Sequence, residues 1–431
     1  MYTHTDLAKL QAQSLKMQGF IRKQTYSPEM EKTLRRFSSW EVAELILKIN
    51  PSTFRGRLAA DPSLPEGLVE EDGRQRWYTL EEINELRRKL KIKSKSLMPA
   101  RPAGKRAVRA AIANFKGGAG KSTVALHFAH AAALDGYRVL AVDFDPQATL
   151  SHSMGLSDVS EEVTVWGIMA RDLIRETERM NAAAAGAESG TALPQRKLPA
   201  SVTGMGLSDL RVTDFIKPTS WPTIDIIPSC ANAAFVEFAS AQYRHLNPEW
   251  SFFAAVSRYL DQIPPDAYDL IIFDCPPAIG YQSMNAVFAA DVLYVPSGPG
   301  YWEYDSTTSF IGQLSEALED LGRFRGRLPS GTNPDKVFSD IRFLLTRFEP
   351  NNDLHRAMQT AFGQVFKSHV TEHPIEMTRA VEQSGRFLSS IYEMDYRQMT
   401  RETWRRARMS FDRAYDEFQA TLVAAWDKLE D

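Results

Sequence analysis

Six short runs of continuously apolar residues, alternating with stretches of helical spacing, constrain this chain more than any other feature. They are AVRAAIANF from Ala107, YRVLAVDFD from Tyr137, TIDIIPS from Thr223, YDLIIFDCPP from Tyr268, DVLYVPS from Asp291 and IRFLLTRF from Ile341. A strand that is apolar at every position has both faces buried, and helices between such strands supply the cover. The fold expected over 108–431 is therefore a doubly wound, mostly parallel sheet with helices on both faces. An Ala- and Gly-rich stretch at 181–195, NAAAAGAESGTALPQ, breaks the plan and reads as a mobile insertion.

The 431 residues suffice for two or three domains. Residues 1–36 look helical and could dimerise, with Leu7, Leu10, Leu15 and Phe20 at roughly helical spacing up to Ser27-Pro28. In 37–90, Ser39 can cap a short helix, and Asn50-Pro51-Ser52 a second one running from Thr53 to Ala60. Glu71-Asp72-Gly73-Arg74 is a tight hairpin turn, followed by a β-like Trp77-Tyr78 and a capped helix from Thr79. Helix, turn, helix, hairpin, helix is the order of a winged helix-turn-helix. Residues 91–107, KIKSKSLMPARPAGKRA, are basic and aperiodic and read as a linker.

Charge divides unevenly along the chain. Met1 to Ala110 holds 22 Lys and Arg against 13 Asp and Glu, a balance of +9, and the remainder carries −12. A basic amino-terminal module thus precedes an acidic body. No apolar run approaches the ~18 residues of a membrane span, and no signal-peptide pattern opens the sequence, so the cytoplasm is the expected location. The two cysteines, Cys230 and Cys275, are too few for a disulfide framework and lack metal-ligand spacing.

The chemistry concentrates at the ends of the apolar strands. After the first, NFKGGAGKST brings Gly117, Gly118 and Gly120 into a loop whose N–H groups can approach an anion. Lys121 can reach terminal phosphates from there, and Ser122 can give a hydroxyl to Mg²⁺. The usual first glycine of such a loop is replaced by Phe115, followed by an extra lysine, Lys116. Asp274 ends a buried strand, where a carboxylate is costly unless a cation offsets it. Asp143 and Asp145 end another strand; two residues apart, they project to one side, where one could hold metal-bound water and the other orient an attacking water. A solvated strand end would carry the same spacing.

Together, KGGAGKST, DFDPQAT and LIIFDCPP resemble the deviant Walker A ATPases, the family of P-loop NTPases that includes ParA partition proteins and MinD. With the amino-terminal winged helix, the chain is most similar to large plasmid ParA proteins, including the RepA partition ATPases of RepABC replicons. The resemblance implies a weak, Mg²⁺-dependent ATP hydrolase that binds ATP and ADP through 116–123, with Ala119 and Thr123 completing the loop. It implies that Lys116 crosses an ATP-sandwich homodimer to the partner's phosphates while Lys121 serves its own nucleotide. Asp145 would orient or activate the hydrolytic water, Ser122 bind Mg²⁺, Asp274 hold it through water, and Asp143 stand behind them. Arg347 and Phe348 lie where such proteins hold adenine, and a ParB-like centromere-binding partner would stimulate hydrolysis. The stretch 298–306, SGPGYWEYDSTTSF in its sequence context, is more aromatic and acidic than the family pattern.

Two DNA surfaces are expected. Ser52, Thr53, Arg55 and Arg57 would lie on or beside the second helix of the helix-turn-helix, and Arg74 and Arg76 would flank the hairpin tip. The module's positive charge suits counterion release, although winged helices also dock proteins. Near the carboxyl end, Arg401, Arg405 and Arg408 share a helical face, with Arg379, Arg386 and Arg397 nearby. A solvated charged face would look alike; in ParA proteins this region contributes to non-specific DNA binding on the nucleoid. The function implied is ATP-dependent plasmid partition, with operator binding and autorepression through the winged helix. The alternatives are a MinD-like membrane-cycling ATPase, disfavoured by an acidic final helix, and a plain nucleotide-responsive transcription regulator.

Overall fold

The computed structural model describes residues 3–25, 32–70, 75–92, 95–99, 101–102, 104–185, 198, 202, 207, 210–323 and 335–429. The chain divides into two compact units, Met1–Leu34 and Arg35–Asp431. The first holds the helix α1 (His4–Thr25), which exposes Leu7, Leu10 and Met17; the expected break at Ser27-Pro28 lies outside the described residues.

In the second unit each of the six apolar runs forms a strand: β6 (Val108–Ile112), β7 (Val139–Asp143), β9 (Ile224–Ile227), β10 (Leu270–Asp274), β11 (Val292–Ser297) and β12 (Asp340–Leu345). They pair in parallel in the order β12-β11-β6-β10-β7-β9, and a short antiparallel β8 (Lys217–Pro218) closes the edge. Alternate residues of a strand face opposite sides. On β11, Leu293 and Val295 join one core with Phe310, while Tyr294 stands edge-on to Phe418 at 5.0 Å on the other side. That other side is covered by α4 (Lys121–Leu134) and α13 (Arg401–Trp426), whose Phe128 and Phe418 approach to 4.6 Å. Burying each such ring contributes roughly 1.5–3 kcal/mol. The first side carries α6 (Val165–Ala185), α8 (Ala255–Leu260), α9 (Tyr281–Ala289) and α10 (Tyr301–Gly322), with α7 (Val236–Leu246) ahead of α8. A short α5 (Thr149–Ser153) follows β7; α11 (Asp353–Phe366) follows β12 and stacks Phe366 on Phe343 at 4.1 Å.

Residues 37–90 form β1 (Phe37–Ser38), a helical turn Glu41–Ile46, α2 (Pro51–Ala60), β2 (Leu68–Val69), β3 (Arg76–Tyr78) and α3 (Leu80–Lys89). The three strands make an antiparallel sheet in the order β1-β3-β2. Asn50 caps α2 by accepting from Ser52 N at 2.9 Å, and Thr79 with Glu82 forms a capping box on α3. The first cap differs from expectation: Ser38, not Ser39, exchanges hydrogen bonds with Glu41, while Ser39 Oγ donates to the Arg76 carbonyl.

The expected linker is not free. Lys91–Ile92 (β4) pairs with Lys95–Ser96 (β5), Arg101 binds Asp269 at 2.8 Å, and Arg106 binds Asp291 at 2.7 Å. The acidic partners of Arg101 and Arg106 lie more than 160 residues away in sequence. Of the expected insertion, 181–185 extend α6, and 186–195 lie outside the described residues. The carboxyl end is split into α12 (Arg379–Arg386) and α13, with irregular backbone and a short turn between.

Candidate functional site

Parallel strands end on one edge of a sheet, and the loops of β6, β7, β10, β11 and β12 converge there. Asn114 locks the β6 loop, its amide donating to the Pro296 carbonyl at 2.7 Å and to Thr307 Oγ1 at 3.1 Å. From β12, Thr346 Oγ1 donates to the Ala119 carbonyl at 2.9 Å. Gly120 turns the chain into α4 with a φ of +86°, where a side chain would be strained. A Cβ at Gly117 or Gly118 would meet nothing, so the loop's rim is open. Phe115, in the place of the usual glycine, packs edge-on against Phe310 of α10 at 5.2 Å. The departure from the common loop pattern thus anchors the loop in the core and leaves the next residue, Lys116, half-buried at the rim.

The two lysines behave differently. Lys121 is buried, and among the described residues its Nζ donates only to the Lys116 carbonyl, at 3.2 Å. Burial lowers its pKa, opposed by the charges of Asp274 and Asp145. Lys116 Nζ has no ionic or hydrogen-bonding partner among the described residues.

Strand register sets two carboxylates side by side, because Asp274 of β10 pairs with Asp143 of β7. Both are fully buried. Asp143 accepts from Asp145 N at 3.0 Å, Ser151 N at 2.9 Å and Ser151 Oγ at 2.7 Å, so it organises the loop that presents Asp145. Burial raises its pKa to about 7 despite those donors. Asp274 is pushed well above the carboxylate range by burial and then by the Asp143 charge; the nearby Ser122 hydroxyl pulls the other way. Neither Asp274 oxygen has a partner in hydrogen-bond geometry. An orphaned buried carboxylate beside a hydroxyl is a donor set that fits a hard, oxygen-seeking divalent cation and its waters. Asp145 is half-buried, its carboxylate accepting from Gln147 N at 2.9 Å.

Past β12, Arg347 adopts a left-handed backbone and approaches Glu303 of α10 at 3.6 Å. Phe348 departs from expectation. Its ring is 4% exposed within the core, because its backbone pairs with Ile375 and Met377 and turns the side chain inward. An open pocket of about 530 Å³ begins at the next residue and is lined by Glu349, Pro350, Asn351, Asn352, Met377 and Arg406.

Ser52, Thr53, Arg55 and Arg57 are all exposed on α2, whose buried residue is Phe54. Arg76 is exposed and donates to the Glu66 carbonyl at 2.9 Å; Arg74 lies outside the described residues. The carboxyl-terminal arginines do not form the expected track. Arg408 is 2% exposed, 3.7 Å from Glu41 and 3.4 Å from Asp412, so it is a buried ion-pair residue. Arg397 binds Asp395 and Glu70 and lies over Trp77, while Arg401 lies 4.0 Å over the Trp40 ring. These residues seat the amino-terminal module on α13. Arg379, Arg386 and Arg405 remain exposed without an ionic partner among the described residues. Trp404 and Phe411 are core residues. Asn114, Thr346 and Ser151 were not singled out from sequence; Asn114 and Thr346 carried a signal, their places at the ends of apolar strands.

Residues 108–322 match a family model described as an AAA domain. A relative from Sinorhizobium fredii, provisionally named replication protein A, is 28% identical over 417 residues, covering 94% of this chain and 90% of its own length. Protein SopA of Escherichia coli is 27% identical over 411 residues, covering 93% of this chain and 92% of its own. A solved structure described as a partition protein superposes with a TM-score of 0.59 at 16% identity, covering 96% of this chain and 99% of that one. At that identity the likeness concerns the fold, and it extends through the amino-terminal module as well as the sheet.

Proposed function

We propose, for a chain whose motifs and relatives are both ParA-type, that it is a partition ATPase in which ATP controls dimerisation and DNA binding. The observation that carries this reading is the contrast between the two lysines of one loop. Lys121 is tucked inside and serves the phosphates of its own nucleotide. Lys116 stands at the open rim without an ionic or hydrogen-bonding partner among the described residues, and it would meet a second subunit's phosphates.

ATP or ADP binds with its phosphates against the N–H groups of 117–123 and the first turn of α4. Lys121 exchanges a weak carbonyl partner for an anionic one. Ser122 and Asp274 would hold Mg²⁺, Asp274 through water, and the ion would supply charge neutralisation to the phosphates. Asp143 fixes the loop of Asp145, which orients the attacking water. Two triphosphates buried between like subunits repel one another, and a Lys116 from each side relieves that repulsion. Dimerisation then depends on the γ-phosphate, and hydrolysis reverses it. Intrinsic turnover is weak, and a ParB-like partner accelerates it.

Exposed Arg379, Arg386 and Arg405 serve non-specific DNA binding on the nucleoid, and α2 with Arg55 and Arg57 reads an operator, giving autorepression. Arg347 contributes to the base pocket. Titrating operator-containing and random duplexes against the protein with ADP, ATP or a slowly hydrolysed analogue tests the reading. ATP analogue should strengthen random-DNA binding; indifference to nucleotide on both duplexes would leave only a plain transcription regulator.

A further inference from the structure

The helix that begins at the phosphate loop ends on the amino-terminal module. Arg87 of α3 is 3% exposed, and its guanidinium donates to the carbonyl of Leu134 and, at 3.0 Å, to that of Asp135. Leu134 is the last residue of α4, and Asp135 is its C-cap. The carbonyls just before them are already satisfied, Ala131 by Asp135 N, Ala132 by Tyr137 N and Ala133 by Gly136 N. Arg87 therefore completes the helix end, which otherwise leaves carbonyls without partners, and its charge complements the negative end of the helix dipole. The fit is close: Gly136 has a φ of +95°, and a Cβ there would lie 2.9 Å from Arg87 Cδ and Nε. Burial lowers the Arg87 pKa, and the Asp135 charge opposes it.

A second contact joins the module to the same helix. His127 Nε2 accepts from Ile391 N at 3.1 Å, the adjacent Tyr392 carbonyl accepts from Arg35 Nε at 3.0 Å, and Arg35 binds buried Glu41 at 2.7 Å. Within the module, Lys89 Nζ donates to the Ser63 carbonyl at 2.7 Å, tying the end of α3 to the turn after α2.

We propose that Arg87 is a positioning residue that couples the two ends of α4, so that phosphate bound at Lys121 and Ser122 alters the setting of α3 and, through Lys89, of α2. The proposal rests on the nucleotide reading above. By linkage, whatever holds α2 in the nucleotide-bound setting also tightens nucleotide binding.

Hydrogen exchange on the full-length protein, with ADP and Mg²⁺ as the probe, tests it. In the wild type, ADP should slow exchange at 116–124 and also, by about fivefold or more, at 80–90 and 51–60, the low end of a typical coupling. Arg87→Met should keep the protection at 116–124 and lose it in the module, and Arg87→Lys should restore part of it. Lys89→Met keeps the clasp and should lose only the response at 51–60, which tests the same route if the Arg87 variants fold poorly. A protected phosphate loop with an unresponsive module in the wild type, or an Arg87→Met module that responds in full, overturns the coupling. No protection at 116–124 in the wild type overturns the nucleotide reading, and the coupling with it.

Discussion

The edge of the sheet and the seam of the amino-terminal module with α4 and α13 both concentrate buried charge, and they treat it in opposite ways. At the seam, each cation meets an acceptor or an aromatic face: Arg35 and Arg408 on Glu41, Arg401 on Trp40, Arg87 on two carbonyls. At the edge, Asp274 has two orphaned oxygens, Lys121 has one carbonyl, and Lys116 has no partner among the described residues. Charges satisfied within the chain hold structure, and charges left unsatisfied wait for a ligand.

Breaking the seam should give the largest change in stability. Arg408→Met leaves Glu41 buried with one partner fewer and should cost about 3–5 kcal/mol in denaturant unfolding. A loss near zero would mean that the cluster is not a structural anchor. The salt dependence of DNA binding should not change in this variant, because Arg408 does not reach solvent.

The opposite sign is expected at the edge. Asp274→Asn removes an unpartnered carboxylate and should stabilise the ligand-free protein by about 1–3 kcal/mol while abolishing hydrolysis. The direction follows from linkage. Asp143 and Asp274 have folded pKa values above their unfolded ones, so between about pH 4 and pH 7 the folded state binds more protons. Ligand-free stability contributed by this pair therefore falls as pH rises through that window. Unfolding curves of wild type and Asp274→Asn across it should converge toward low pH and diverge toward neutrality.

The smallest effect is expected at the exposed arginines. Replacing Arg379, Arg386 or Arg405 by Ala should leave stability within about 0.5 kcal/mol and lower the salt slope of random-DNA binding by about one each. An unchanged slope in all three would move the non-specific surface elsewhere.

The strands and the phosphate loop were legible because they are local signals: continuous apolar runs, glycines before a lysine, acids at strand ends. The seam was not. Arg401, Arg405 and Arg408 follow helical spacing, but one partner of Arg408 is Glu41, on an element far away in sequence. Spacing alone cannot distinguish a cation facing DNA from one facing a distant carboxylate. The same limit applies to Arg101 and Arg106 in the expected linker, whose acids come from the loop before β10 and from the residue before β11. The burial of Phe348 was illegible for a related reason, since only the pairing of its backbone with 375–377 shows that its ring turns inward.

Lys116 is the residue on which the account depends most. Sedimentation velocity with Mg²⁺ and a slowly hydrolysed ATP analogue, paired with a nucleotide-binding titration, measures its role directly. Wild type should shift to a dimer, and Lys116→Ala should bind nucleotide yet not dimerise in response. A Lys116→Ala protein that dimerises with the analogue as the wild type does would contradict the assignment of that lysine to a second subunit.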